Sequence, residues 1–250
     1  MLRSILRLAY GAGGYAAGLA SIAAVVAFLA DLPFFKGVNA GDPGPIGPSI
    51  AINLGLIGLF GLHHSVTARR WFKARWTRLI PPALERTTYL WMSTAAVALL
   101  ILFWQPVTIP LWQVSDPWAA GAIWAAFLAV WGLMFSATFP IGHLRFFGLA
   151  QVWNRVRGLP EPNPAFTARW LYGLVRHPIS LGWMLVPWLT PQMTLGQITF
   201  AIGTMVYVLT ATAFEEADLA ADLGEAYRRY RREVPAFLPR LRRSRRRSGI

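Results

Sequence analysis

The sequence predicts an all-α integral membrane protein: a bundle of five to six transmembrane helices that includes a C-terminal helical hairpin, followed by an amphipathic tail. Three observations predict it. Of 250 residues, 55% are hydrophobic and 14% charged, against about 25% charged in an average soluble domain, and mean hydropathy is +0.43. The apolar residues gather in long stretches, each near or above the roughly 20 residues that cross a hydrocarbon core. Twelve Trp and seven Tyr suit a chain with two lipid interfaces, where a ring buries its body and keeps a polar edge wet.

The first stretch, 11–32, follows Arg3 and Arg7 and lacks a small-residue cleavage site, so it reads as a signal anchor. Gly41-Asp42-Pro43-Gly44-Pro45 forms a turn into the second stretch, 46–62. The third, 88–104, and the fourth, 118–139, are joined by a link that holds Pro106, Pro110 and Pro117 and no basic residue. The fifth, 179–213, is too long for one span and contains Pro187 and Pro191, so it predicts a hairpin turning near Pro191-Gln192-Met193. Its first arm is short, so either a span or a re-entrant helix fits it. The whole chain is then one transmembrane domain. Four spans fill 1–139, a loop fills 140–178 and the hairpin fills 179–213. A helix over 214–239 covers the site and a basic tail ends the chain at 240–250.

The basic residues set the orientation. Two of the 24 Lys and Arg precede residue 11, one lies in the first link, six fall between 63 and 87, five between 140 and 178, and ten after 213. Alternate segments therefore hold 23 against one, and by the positive-inside rule the rich ones are cytoplasmic. The expected location is the cell (inner) membrane, multi-pass, with both termini in the cytoplasm. The net charge of +13 and the run of Arg between 240 and 247 fit anionic lipid headgroups better than nucleic acid. With no Cys, disulfides, thiolate metal sites and cysteine nucleophiles are excluded.

Polar groups able to do chemistry fall on the cytoplasmic side. His63 and His64 end the second span, Glu85, Arg86 and Tyr89 open the third, and His143 and Arg145 follow the fourth. His63 and His64 project about 100° apart on a helix, so they cannot readily share a metal, and no metal site is expected. Arg176-His177-Pro178 ends a loop, with Pro178 suited to a first helical turn, where a carboxylate binds favourably. Glu215-Glu216 lies at the same end of the returning arm, so basic and acidic groups converge. Two adjacent acids at a helix C-terminus oppose the helix dipole and call for a partner or ligand; the helix can also simply continue past them.

The order Arg176-His177-Pro178, apolar hairpin, Glu215-Glu216, then Tyr227, Tyr230 and Val234-Pro235-Ala236-Phe237-Leu238-Pro239 resembles the isoprenylcysteine carboxyl methyltransferase and phospholipid methyltransferase superfamily over about the last 70 residues. His64, then Glu85, Arg86 and Tyr89, resemble the branch that holds NnrU-like membrane proteins and methanethiol S-methyltransferases, and 142–149 is similar to the latter family. The resemblance implies S-adenosylmethionine as cofactor, although no Gly-x-Gly-x-x-Gly follows a predicted strand. It implies that Arg176 and His177 bind the methionine part, Arg176 through its carboxylate. Tyr172, Pro178 and Gly182 would lie along the same pocket. Glu215 and Glu216 would take the ribose hydroxyls or the ammonium, and Tyr227, Tyr230 and Arg231 would close over the ligand. One departure is Ser180, where the superfamily often has an aromatic residue.

The implied activity is methylation of a small volatile thiol, methanethiol, on sulfur, giving dimethyl sulfide and S-adenosylhomocysteine. His64 and His143 are then the candidate bases, Arg86 would hold the thiolate, and Glu85 or Tyr89 would orient a histidine. Trp91, Phe139 and Phe146 would wall an apolar pocket. Two alternatives stay open: a methyltransferase of an isoprenylcysteine or lipid acceptor, and a non-enzymatic NnrU-like protein of nitrogen-oxide metabolism.

Overall fold

The computed structural model describes residues 1–161 and 166–239; the basic run at 240–247 lies outside them. Five helices are long and apolar enough to cross a membrane: α1 (Leu2–Leu29), α2 (Ile46–Ala68), α4 (Pro82–Phe103), α5 (Pro117–Ala137) and α9 (Leu195–Glu233). Short helices α3 (Arg70–Trp76), α6 (His143–Phe146), α7 (Leu149–Arg157) and α8 (Pro178–Leu185) lie between them. Proline marks the starts: Pro82, Pro117 and Pro178 occupy first turns, where the missing N–H has no intrahelical partner to lose. Asp116 caps α5 through the Ala119 amide at 2.7 Å, and Thr194 caps α9 through the Gln197 amide at 3.2 Å.

Only 17–33% of each span is buried within the protein, and residues such as Leu54, Leu59, Leu99, Leu128 and Leu209 face outward. Those faces belong to lipid. Inside, Phe28, Trp104 and Phe200 meet with ring centroids 5.5–5.7 Å apart. Asn53, fully buried in α2, donates to the Gln105 carbonyl at 2.7 Å and accepts from the Gln105 amide at 2.8 Å. It thereby satisfies backbone groups at the end of α4 that lipid could not.

Helix α2 runs parallel to α9, with Ile57 against Gly203, Gly61 against Tyr207 and Arg69 against Asp218. A Cβ on Gly61 would sit 2.6 Å from the Tyr207 ring, so the close approach needs glycine. Helix α1 lies along α4, Gly14 on Thr87 and Phe28 on Trp104.

The short arm before Pro191 is resolved in an unexpected way. Helix α8 has eight residues, about 12 Å of rise, too little to span. A 3-10 turn at Val186–Trp188 follows, and then strand β2 (Gln192–Thr194) pairs antiparallel with β1 (Pro110–Gln113) at the face opposite Arg176. The arm therefore traverses the bundle, helical for its first half and irregular thereafter. Irregular backbone at this depth requires burial in protein, and Val186, Thr190, Met193 and Thr194 are each at most 5% exposed. Backbone bonds tie its end to the β1 segment: the amides of Val114 and Leu195 bond the carbonyls of Pro191 and Ile109, each at 2.8 Å.

Helix α9 does not stop at Ala213. It continues through Glu215 and Glu216 and is interrupted only at Gly224, whose φ of +57° and ψ of −131° favour glycine. The N-terminus of α1, the C-terminus of α2, the start of α4, the end of α5, the start of α8 and the end of α9 all reach one side, here called the basic face.

Candidate functional site at the basic face

Two polar clusters occupy this face. The first centres on Glu216. Arg176 donates to Glu216 Oε1 from Nε at 2.7 Å and also from Nη2, while Nη1 donates to the carbonyls of Val234 at 2.6 Å and Arg231 at 3.2 Å. The two side chains are 9% and 12% exposed, so the pair sits in a low-dielectric place where each charge depends on the other. His177 Nε2 lies 3.0 Å from Glu216 Oε1 and Nδ1 lies 3.6 Å from Glu215 Oε2. Arg231 Nε reaches Glu216 Oε2 at 3.3 Å.

Pro235 and Pro239 cannot continue a helix, and the chain from 234 turns back as a strap. Its Pro235 and Ala236 carbonyls accept from the amides of Arg176 and His177 at 2.8 and 3.2 Å, and Phe237 faces the His177 ring with centroids 5.9 Å apart. Tyr230 donates to the Tyr172 carbonyl at 2.7 Å. Burial, with help from the nearby Glu215 charge, pushes the Tyr172 phenol pKa up, so it stays protonated. Tyr227 is 2% exposed, and its buried hydroxyl, beside Arg176 and Glu216, has no partner at hydrogen-bond geometry.

Arg176 already makes four donor contacts of the five a guanidinium has. The freer groups are the Glu215 carboxylate, 53% exposed, and the Tyr227 hydroxyl. Pro178 starts α8. Gly182 faces α5, where a Cβ would collide with Met134; its place is in helix packing.

The second cluster centres on His64. The Tyr89 hydroxyl lies 2.6 Å from His64 Nε2 and 3.0 Å from Nδ1, and Ser93 Oγ lies 3.4 Å from Nδ1. Phe60 stacks on the imidazole with centroids 5.3 Å apart. Arg86 stands over the rings of Tyr89 and Phe146 at 4.7 and 5.1 Å and donates to the Phe146 carbonyl at 2.7 Å. Glu85 turns away from the histidines and faces Lys73 at 3.9 Å. Trp91 packs on α1, with its ring 6.3 Å from Tyr10; Phe146 joins the cluster through Arg86, whereas Phe139 stacks on His143 with centroids 4.8 Å apart. An apolar groove of about 300 Å³ between α2 and α4, lined by Leu56, Phe60, Met92 and Leu99, carries His63 on its rim.

His143 is bonded at both nitrogens. Thr138 Oγ1 donates to the Phe135 carbonyl at 2.6 Å, so it can only accept from His143 Nδ1–H, also at 2.6 Å; Nε2 then accepts from the Tyr15 hydroxyl at 2.9 Å. This neutral tautomer is assigned from the network. Burial lowers the His143 pKa, so the folded state takes up a proton less readily than the unfolded chain. Stability attached to this residue is therefore complete above about pH 6.5 and declines as pH falls below it. Thermal midpoints between pH 7.5 and 5 are expected to fall less in His143→Gln than in the parent; parallel profiles would refute the assignment.

Sequence reasoning overlooked an ionic ladder. Arg69 bonds Asp218 at 2.8 Å, Arg70 pairs with Asp222, and Arg70 Nη2 reaches the Asp218 carbonyl at 3.3 Å. It clamps α2 and α3 to the extension of α9. Asp218 and Asp222, four residues apart on one helix face, opposite the adjacent Arg69 and Arg70, were the available signal. From the pairings of Gly61 with Tyr207 and Arg69 with Asp218, His64 lies roughly 5–9 Å deeper along the shared axis than Glu216. The two clusters are thus neighbours at one face, the carboxylate cluster outermost.

Fold and site together define a multi-pass membrane protein with its polar machinery gathered at one bilayer face. The chain is 43% identical to a methanethiol S-methyltransferase of Mycobacterium tuberculosis, over 95% of this chain and 98% of that protein. It is 41% identical to another from a Pseudomonas strain, over 86% and 83% of the two chains. A more distant relative is nurim of Danio rerio, 28% identical over 71% of this chain and 67% of its own. No family model and no solved structure match. The chain belongs to the methanethiol S-methyltransferase family and is a methyltransferase.

Proposed function

We propose that this chain methylates methanethiol on sulfur with S-adenosylmethionine as methyl donor, giving dimethyl sulfide and S-adenosylhomocysteine, at the cytoplasmic face of the cell membrane. The observation that carries the reading is the buried Arg176–His177–Glu216 cluster under the 234–239 strap, in a chain related to named methanethiol S-methyltransferases along nearly its whole length. The orientation rests on the segments holding 23 of the 24 basic residues, whose described members lie at the basic face.

The residues present fit the donor. The buried Tyr227 hydroxyl without a partner and the open Glu215 carboxylate suit the ammonium and ribose hydroxyls, and the Arg176 guanidinium suits the carboxylate. Arg176 also fixes Glu216, whose charge favours a sulfonium nearby. S-adenosylmethionine, when bound, supplies an electrophilic methyl group on a sulfonium. His64 takes the thiol proton and leaves the electron pair on sulfur; a thiol is mostly protonated at pH 7, so this step raises the fraction of nucleophile. Tyr89 holds the imidazole in place, and Arg86 favours the anion. Phe60 and Phe146 exclude water, and holding nucleophile and methyl carbon in line supplies much of the rest.

The test is headspace gas chromatography on detergent-purified protein given S-adenosylmethionine and methanethiol. Dimethyl sulfide should form with the intact protein and not with Glu216→Ala. Calorimetric binding of S-adenosylmethionine without product would shift the acceptor to a larger thiol or lipid, and absence of both would reject the reading.

A further inference from the structure

Arg86 and Arg145 are two guanidiniums that no carboxylate neutralises among the described residues. Glu85, the acid nearest in sequence, faces Lys73. Arg86 Nε is tied at 2.7 Å to the carbonyl of Phe146, the residue after Arg145, so the Arg86 side chain reaches the short helix that carries Arg145, and the two cations repel each other. Arg145 Nε is buried and has no hydrogen-bond partner, and so is Gln151 Oε1, although Gln151 Nε2 holds the Arg145 carbonyl at 3.0 Å. Burial, and then repulsion from Arg86, lower the Arg145 pKa. Like charges held together with a donor unfilled are unfavourable unless an anion joins them.

The surroundings select the kind of anion. The rings of Tyr89 and Phe146 lie under Arg86, and His64 is bonded to the same Tyr89. An apolar, polarisable wall beside weakly hydrated guanidiniums disfavours strongly hydrated ions and accepts a large, soft one.

We propose that Arg86 and Arg145 form the binding site for the acceptor as its thiolate anion, with Arg145 the residue that fixes the position of the sulfur beside His64. The inference rests on the thiol methyltransferase reading above. On deprotonation the S–H bond breaks, the proton goes to the imidazole of His64, the electron pair stays on sulfur, and N–H groups of both arginines donate to it. Arg145 thus sets affinity for the acceptor, separately from the Glu216 cluster that holds the donor.

The experiment uses full-length protein in detergent and thiocyanate, a soft anion, as probe. Binding is followed calorimetrically without donor, then with methanethiol as competitor, in the parent, Arg145→Gln and Arg145→Lys. Methanethiol should displace thiocyanate. Arg145→Gln should weaken thiocyanate binding and raise the KM for methanethiol, each about tenfold or more, with kcat within about twofold and S-adenosylmethionine affinity unchanged. Arg145→Lys should recover much of both. Thiocyanate binding that is indifferent to Arg145→Gln, or that phosphatidylglycerol displaces and methanethiol does not, overturns the proposal; the latter would make the pair a headgroup anchor. Displacement by methanethiol without any dimethyl sulfide leaves the anion site standing and removes the assigned reaction instead.

Discussion

Glu216→Ala should abolish measurable S-adenosylmethionine binding and destabilise the protein by about 3–5 kcal/mol, the range for removing one partner of a buried ion pair. The size follows from geometry. Arg176, 9% exposed, would lose the carboxylate that receives both Nε and Nη2, and His177 would lose the oxygen 3.0 Å from Nε2. Because Arg176 also holds the carbonyls of 231 and 234, the strap over the site would loosen with it. Glu216→Gln keeps an acceptor for the guanidinium and should recover stability without recovering cofactor affinity. Calorimetry and thermal unfolding of the two variants separate these effects; full cofactor binding by Glu216→Ala would reject the donor site.

His64→Ala should lower kcat by about 100-fold or more while leaving S-adenosylmethionine affinity intact. The imidazole lies roughly 5–9 Å along the α2–α9 axis from Glu216, bonded to Tyr89 and stacked on Phe60, with no contact to the carboxylate cluster. Loss of the base therefore slows thiol deprotonation without touching the donor. Tyr89→Phe removes only the hydroxyl that orients the ring and should cost about five- to tenfold. Steady-state kinetics with calorimetry on each variant make the check. An unchanged kcat in His64→Ala would pass the role of base to another group, with His143 the other histidine to test.

The sequence shows the membrane class, the long apolar helices and the gathering of polar residues at alternate links. Apolar runs of about 20 residues and alternating basic links are properties of a chain partitioned between lipid and water, readable without tertiary contacts. It also brought Arg176-His177 and Glu215-Glu216 to one end of a hairpin, because the turn near Pro191 fixes which ends meet. Pairing, by contrast, follows from the packed helices. Glu85 faces Lys73 and not a histidine, Arg176 is bound by Glu216 and by the 231 and 234 carbonyls, and His143 is held between Tyr15 and Thr138. Likewise α8 ends after two turns because the rest of its arm pairs with β1 and is buried by neighbours. Side-chain partners come from residues up to about 150 positions apart, such as Arg69 and Asp218, and which of several nearby charges a group selects depends on helix rotation and depth. Neither is written in local periodicity; both follow from how α1, α2, α4 and α9 pack.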